Sequence, residues 1–163
     1  MLRTAALALL LLGGSLAAPF TDAKNGFKVT PPAGWQKVDY PGTAVVYMAP
    51  RRVGDFAPNL NVIVQPIPAG TTQARFHTGS LAQIRKFVSG GQIIQTRDVT
   101  LSGQKANEVV YTGRQGKFSL YFIAIYAVKG KSAYIITGTT PLGVHGDMAQ
   151  TTRAFAKSFR ITR

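Results

Sequence analysis

The chain contains no cysteine, which removes disulfides, thiolate metal sites and cysteine nucleophiles together. Acidic groups are nearly as scarce. Six Asp plus Glu face 19 Lys plus Arg, and Glu108 is the one glutamate. Two histidines, His77 and His145, stand far apart, whereas a zinc site wants three or four nitrogen, sulfur or carboxylate ligands. No G-x-S-x-G elbow, H-E-x-x-H helix or Walker loop occurs, so the familiar hydrolase and nucleotide-binding signatures are missing. Nothing in the pattern asks for a metal or cofactor.

What remains is enough chain for one domain. At 163 residues a folded domain buries roughly 68–70% of its unfolded surface, so a core forms without covalent staples. Residues 1–17 read as a secretory signal. Leu2-Arg3 supplies the positive start, Ala5 to Leu12 the apolar run, and Ser15-Leu16-Ala17 the small-x-small cleavage site. The apolar run falls short of the ~20 residues that span a bilayer, and Gly13-Gly14 interrupts its end. The expectation is an exported chain, residues 18–163, placed in a periplasm or outside the cell. The formal charge is +13, and loss of Arg3 with the signal leaves 18 cations against 6 anions, or +12. Such a balance fits an anionic partner. It equally fits a protein kept soluble by one sign of charge.

The run from Asn107 to Thr140 organises the rest. Three β-branched and aromatic stretches are punctuated by Gly-Arg-Gln-Gly and Lys-Gly-Lys, turn signals at hairpin spacing, which predict a three-strand antiparallel meander. In the middle stretch Leu120, Phe122, Ala124 and Tyr126 alternate with Tyr121, Ile123, Ile125 and Ala127. Large apolar groups therefore leave both faces of the pleat, and both faces need cover. Two amphipathic segments supply it. Between Thr72 and Val88, Ala74, His77, Leu81, Ile84 and Val88 recur at helical spacing, and Ser89-Gly90-Gly91 follows as a left-handed stop. From His145 to Ser158, the positions Val144, Met148, Thr152, Phe155 and Phe159 form a second stripe, with Arg153 and Lys157 on the other side.

The remaining segments read as strands and connections. Residues 18–25 lack periodicity and predict a loose terminus. Gly26 to Thr30 is a short strand, Pro31-Pro32-Ala33-Gly34 a turn, and Trp35 to Tyr40 the strand returning from it. Trp35 is read as packing over the core edge. Ala44 to Ala49, Asn59 to Ile67 and Gln92 to Leu101 are further strands, and Ser102-Gly103 turns into the meander. The stretch Pro50 to Pro58 breaks all pattern and carries Arg51, Arg52, Asp55 and an isolated Phe56. It is either an exposed binding loop or a solvated connection whose arginines pair with Asp55.

The order of these elements, with NGFKVTPPAGWQKVD, NLNVIVQPIP, GQKANEVVYTG, YIITGTTP and FAKSFRI along it, resembles the PsbP/DcrB-like family. The likeness runs over nearly all of residues 18–163. The resemblance implies an α+β fold: an α/β/α sandwich with a central antiparallel sheet, an N-terminal β-hairpin and two main covering helices. It also implies an accessory binding protein rather than an enzyme, as in extrinsic photosystem II subunits, bacterial envelope proteins and a relative that binds a small GTPase. No functional residue carries over with it.

Three functions follow as expectations. The favoured one is a noncatalytic envelope protein whose basic surface, built from Arg51, Arg52, Arg114, Lys117, Lys129 and Lys131 with Phe56 beside them, meets a protein, an anionic polymer or a membrane surface. A second is a small secreted nuclease with Glu108 as general base and His145 as general acid; against it, Glu108 on a strand reads more simply as a cross-strand partner of Lys or Arg. A third is a nucleic-acid module, ranked last because the aromatics are needed for core. His77 reads as a hydrogen-bonded core-edge residue. The pair His145 and Asp147 could chelate or relay a proton, though Asp147 at a helix start is equally explained by the helix dipole.

Overall fold

The computed structural model describes residues 17–163, so the predicted signal lies outside the described residues apart from Ala17. The strands are β1 (Phe20–Asp22), β2 (Phe27–Val29), β3 (Gln36–Val38), β4 (Val45–Met48), β5 (Asn59–Pro66), β6 (Ser89–Leu101), β7 (Gln104–Gln115), β8 (Phe118–Lys129), β9 (Ser132–Pro141) and β10 (Arg160–Ile161). The helices are α1 (Gln73–Phe87) and α2 (Gly146–Ser158). Seven strands form one antiparallel sheet in the order β3-β4-β5-β9-β8-β7-β6, and β1-β2-β10 form a small second sheet.

The predicted meander is β7-β8-β9, and β6 extends it through a two-residue turn. Ser102 and Gly103 both take positive φ, 52° and 74°, the conformation whose twist matches a tight hairpin. This turn sets Leu101 opposite Gln104 and, stepping outward, Arg97 opposite Glu108.

β8 lies inside the sheet and is covered on both faces, as its alternation requires. On one side Tyr121, Ile123, Ile125 and Ala127 join Leu60, Val62, Val110 and Ile136 beneath Met148, Phe155 and Ala156 of α2. On the other, Ala124, Tyr126 and Val109 lie beneath Ile84, with Phe76, Leu81 and Val88 of the α1 segment around them. Burying each large aliphatic side chain contributes about 1.5–3 kcal/mol, so these two layers carry most of the apolar stabilisation. The result is a helix/sheet/helix sandwich.

Close helix packing depends on one strand position. A Cβ at Gly138 of β9 would run into the Thr152 hydroxyl and lie 3.0 Å from Met148 Sδ, so the missing side chain is what lets α2 settle on the sheet. Gly138 sits within β9, paired with Leu60 and Ile123.

Several sequence expectations need correction. Residues 18–25 are not loose: Phe20–Asp22 pairs with Phe27–Val29 as an N-terminal hairpin. Phe27 is fully buried and stacks on Phe159 at 5.1 Å. The strands on either side of Pro31-Pro32 do not pair with each other. β2 instead pairs with β1 and β10 while β3 pairs with β4 in the large sheet, so the prolines carry the chain from one sheet to the other. Trp35 packs, partly buried, against the main core.

Helix details shift in the same way. Thr72 caps α1 by accepting from the Arg75 amide at 3.2 Å. Its packed stripe uses Phe76 where Ala74 was expected, and Ala74 is exposed. α1 ends on an extended Val88, and the left-handed residue is Gly90, already within β6. Val144 precedes α2 and is 54% exposed, while Ala156 takes a place on the buried face.

Candidate functional site

Two loops meet at one end of the large sheet. The antiparallel register sets Asn59 opposite Thr139, and Leu120 opposite Pro141, which brings the β4–β5 loop and the β7–β8 turn to the same edge. They are fastened together there. Lys117 Nζ lies 2.5 Å from Asp55 Oδ2, and Phe56 meets Phe118 edge-on with centroids 5.2 Å apart. Arg52 donates to the Asp55 carbonyl, and Val53 and Phe56 exchange backbone hydrogen bonds of 2.8 and 3.1 Å. Asp55 thus serves Lys117 with its carboxylate and Arg52 with its backbone. Arg51 and Arg114 have no acidic partner among the described residues. Phe56 is half-buried rather than isolated.

The seven sequence-derived binding positions divide accordingly. Arg51, Arg52, Phe56, Arg114 and Lys117 share this end. Lys129 and Lys131 flank the β8–β9 turn at the opposite end, separated from Lys117 by the 12 residues of β8, roughly 40 Å of extended chain. Leu142 and Val144, half-exposed on the β9–α2 connection, lie at the Lys117 end, where the Leu142 amide donates to Ser119 O at 2.9 Å.

Glu108 occupies a different place. It projects from β7 on the α2 side, only 2% exposed, between two arginines whose side chains are each 43% exposed. Arg97 of β6 donates to Oε1 through Nε at 3.1 Å and Nη2 at 2.5 Å. Arg153 of α2 donates through Nε to Oε2 at 2.9 Å and through Nη2 to Oε1 at 2.8 Å. Burial alone raises the Glu108 pKa, but hydrogen bonds from Arg153 and Arg97 and their charge outweigh it and hold the carboxyl below its ordinary value. The cross-strand pairing expected of Glu108 is therefore present. Arg153, placed by its helical position on the outer side of α2, instead turns back to the sheet.

This environment does not suit a general base, which needs a lone pair open to substrate and a pKa near the working pH. His145 sits at the N-cap of α2, stacks on Tyr121 with centroids 4.6 Å apart, and accepts from the Gly143 amide at 3.3 Å. No hydrogen bond joins it to Glu108 or Asp147 among the described residues. No group of three or more His, Cys, Asp or Glu among them could hold a metal ion.

His77 behaves as a core-edge residue, its Nδ1 2.7 Å from the Tyr126 hydroxyl. Nearby, Gln73 donates to Asn107 Oδ1 at 2.8 Å and accepts from the Val128 amide at 2.8 Å, while Asn107 donates to Asp98 at 2.8 Å. These bonds pin the start of α1 to the sheet. Burial pushes the Tyr126 and Tyr111 hydroxyls up to about 12, so both stay neutral. Rings of this kind are committed to the interior, and the large exposed aromatics among the described residues are Tyr40 and Phe87.

The fold is shared with solved structures of low sequence identity. Cyanobacterial PsbP (CyanoP) from Synechocystis superposes with a TM-score of 0.65 at 18% identity, over 94% of this chain and 97% of that one. LpqN of Mycobacterium tuberculosis, described as involved in cell envelope biogenesis, gives 0.69 at 10% identity over 90% of each chain. The Ran-binding protein Mog1p of Saccharomyces cerevisiae gives 0.60 at 12% identity, over 91% and 97%. No curated protein matches the sequence significantly. The PsbP family profile matches residues 15–161, through both sheets and both helices, and the chain belongs to the PsbP family.

Proposed function

We propose that this protein is an exported, noncatalytic binding protein of the cell envelope that engages an acidic partner protein or anionic envelope polymer through the basic end of its large sheet. One observation carries the reading. Two loops at that end are held in fixed relation by the Asp55–Lys117 pair and the Phe56–Phe118 contact, while Arg51 and Arg114 stand without acidic partners among the described residues. Fixed loops lose little conformational freedom on binding, and unpaired cations steer an anionic surface toward them. The fold agrees with such a role, since its relatives include a Ran-binding protein and a protein of envelope biogenesis. The two arginines on Glu108 weigh against a nuclease reading, and the scarcity of exposed rings among the described residues weighs against a nucleic-acid reading.

The test is crosslinking and pull-down from the native envelope, comparing the unaltered protein with an Arg51→Glu/Arg52→Glu variant. The expected result is a partner retained at ~0.05 M salt, released near ~0.5 M, and absent with the variant. A partner held equally at both salt levels and by both proteins overturns the proposal. An anionic membrane surface is the second reading, favoured by exposed Leu142 and Val144 beside the same cations. In that case Leu142→Ser/Val144→Ser abolishes sedimentation with phosphatidylglycerol vesicles.

A further inference from the structure

At the other end of the sheet, between the β6–β7 turn and the last turns of α2, lies an open cleft of about 660 Å³. Arg97, Arg153, Lys157 and Arg160 line it with Glu108 and Ser102. Four cations against one carboxylate leave a net charge of +3.

One cation is enough to neutralise the charge of Glu108. Here the carboxylate holds two guanidinium groups by the Nε and Nη2 edge of each. An arginine has five N–H donors in a rigid plane, so each keeps three, including both on Nη1, that bond to nothing else among the described residues. The buried carboxylate thus acts as a jig: it fixes two half-exposed forks and leaves their outer donors free. Arg160 answers the negative end of α2, its Nη1 donating to the carbonyls of Lys157 and Phe159 at 2.7 and 2.8 Å. That leaves its Nε and Nη2 groups unengaged. Lys157 has no acidic partner among the described residues, and Ser102 Oγ, which accepts from the Ile161 amide at 2.9 Å, keeps its own proton to donate. Asp98, the nearest acidic residue in sequence on β6, is turned to the α1 side and bonded to Asn107.

We propose that this cleft binds a compact oxyanion ligand of two or more negative charges, carrying phosphate or carboxylate groups. Preoriented guanidinium forks match the paired oxygens of such groups bidentately, and the volume lies within the range of small-ligand sites. The proposal is independent of the partner surface at the Lys117 end.

Calorimetric titration with inorganic pyrophosphate and, separately, with citrate tests it. The expected result is saturable binding of at least one, the tighter of the two naming phosphate or carboxylate as the recognised group. Lys157→Ala/Arg160→Ala should weaken binding at least tenfold while the protein remains folded at the temperature of the titration, and Arg51→Ala/Arg52→Ala should leave binding intact. Absence of saturation by either anion at millimolar concentration overturns the proposal. So does equal loss in both double variants, which marks diffuse attraction to a basic protein. Because the probes are small anions, failure here leaves the envelope-partner reading standing, and failure of the pull-down leaves this one standing.

Discussion

Arg153 of α2 clasps Glu108 of β7 through two parallel hydrogen bonds, Nε to Oε2 at 2.9 Å and Nη2 to Oε1 at 2.8 Å. With Arg97 on the neighbouring strand, this joins helix, β6 and β7 at one buried carboxylate. Glu108→Gln keeps the shape and removes the charge. The folded-state pKa lies below the ordinary value because the arginines outweigh burial, so the stabilisation is complete above the unfolded pKa of about 4.3 and is lost as pH falls through the folded value. Urea unfolding at neutral pH should show the variant weakened by about 2 kcal/mol. On acidification below pH ~4 the gap should narrow; two curves that stay parallel to acid would mean that Glu108 does not carry this dependence.

Gly138→Ala should destabilise by about 1–3 kcal/mol through overpacking, since the new methyl meets the Thr152 hydroxyl and Met148. Adding Thr152→Ala removes the obstructing atom. The double variant should then be more stable than the two single losses summed, by at least ~0.5 kcal/mol in a mutant cycle. Simple additivity would show that α2 does not rest on this glycine.

Ile123, fully buried at the centre of β8, should cost about 3–4 kcal/mol when cut to alanine, in the middle of the range for core truncations. The check is the denaturant midpoint at constant slope. A loss under ~1 kcal/mol would mean the site collapses around the deletion.

Phe56→Ala should free the β4–β5 loop without unfolding the domain. The Asp55–Lys117 pair left behind is exposed and worth about 1 kcal/mol or less. Amide exchange at Val53 and Phe56, which hydrogen-bond each other, should accelerate at least tenfold while β8 amides keep their protection. Unchanged exchange at both would show that the Phe118 contact does not hold the loop.

Much of the sandwich was legible because its signals are local. β8 announced two covered faces by alternation, and both helices by their spacing. The Glu108–Arg97 pair was also within reach: the Ser102-Gly103 turn fixes the register, and counting outward puts residue 97 opposite 108. Arg153 was not, since its long stem lets the head group fold back over a helix flank that the wheel assigns to solvent. The three-residue β1 and two-residue β10 were missed because such short strands are defined by partners distant in sequence rather than by their own pattern. Grouping Lys129 and Lys131 with the other cations failed for a geometric reason: consecutive hairpin turns point to opposite ends of a meander.

The small sheet seats Arg160–Ile161 against Phe27–Lys28 and brings the Thr162 amide to Gly26 O at 2.9 Å. The N-terminal hairpin and the last strand of the fold are therefore zipped to one another, and during synthesis this clasp cannot close until residues 160–162 have emerged. Truncation by a handful of residues would strip β2 of one neighbour and remove Phe159's anchor beyond α2. Joining the ends by a short linker and opening the ring elsewhere should, by contrast, cost the molecule little.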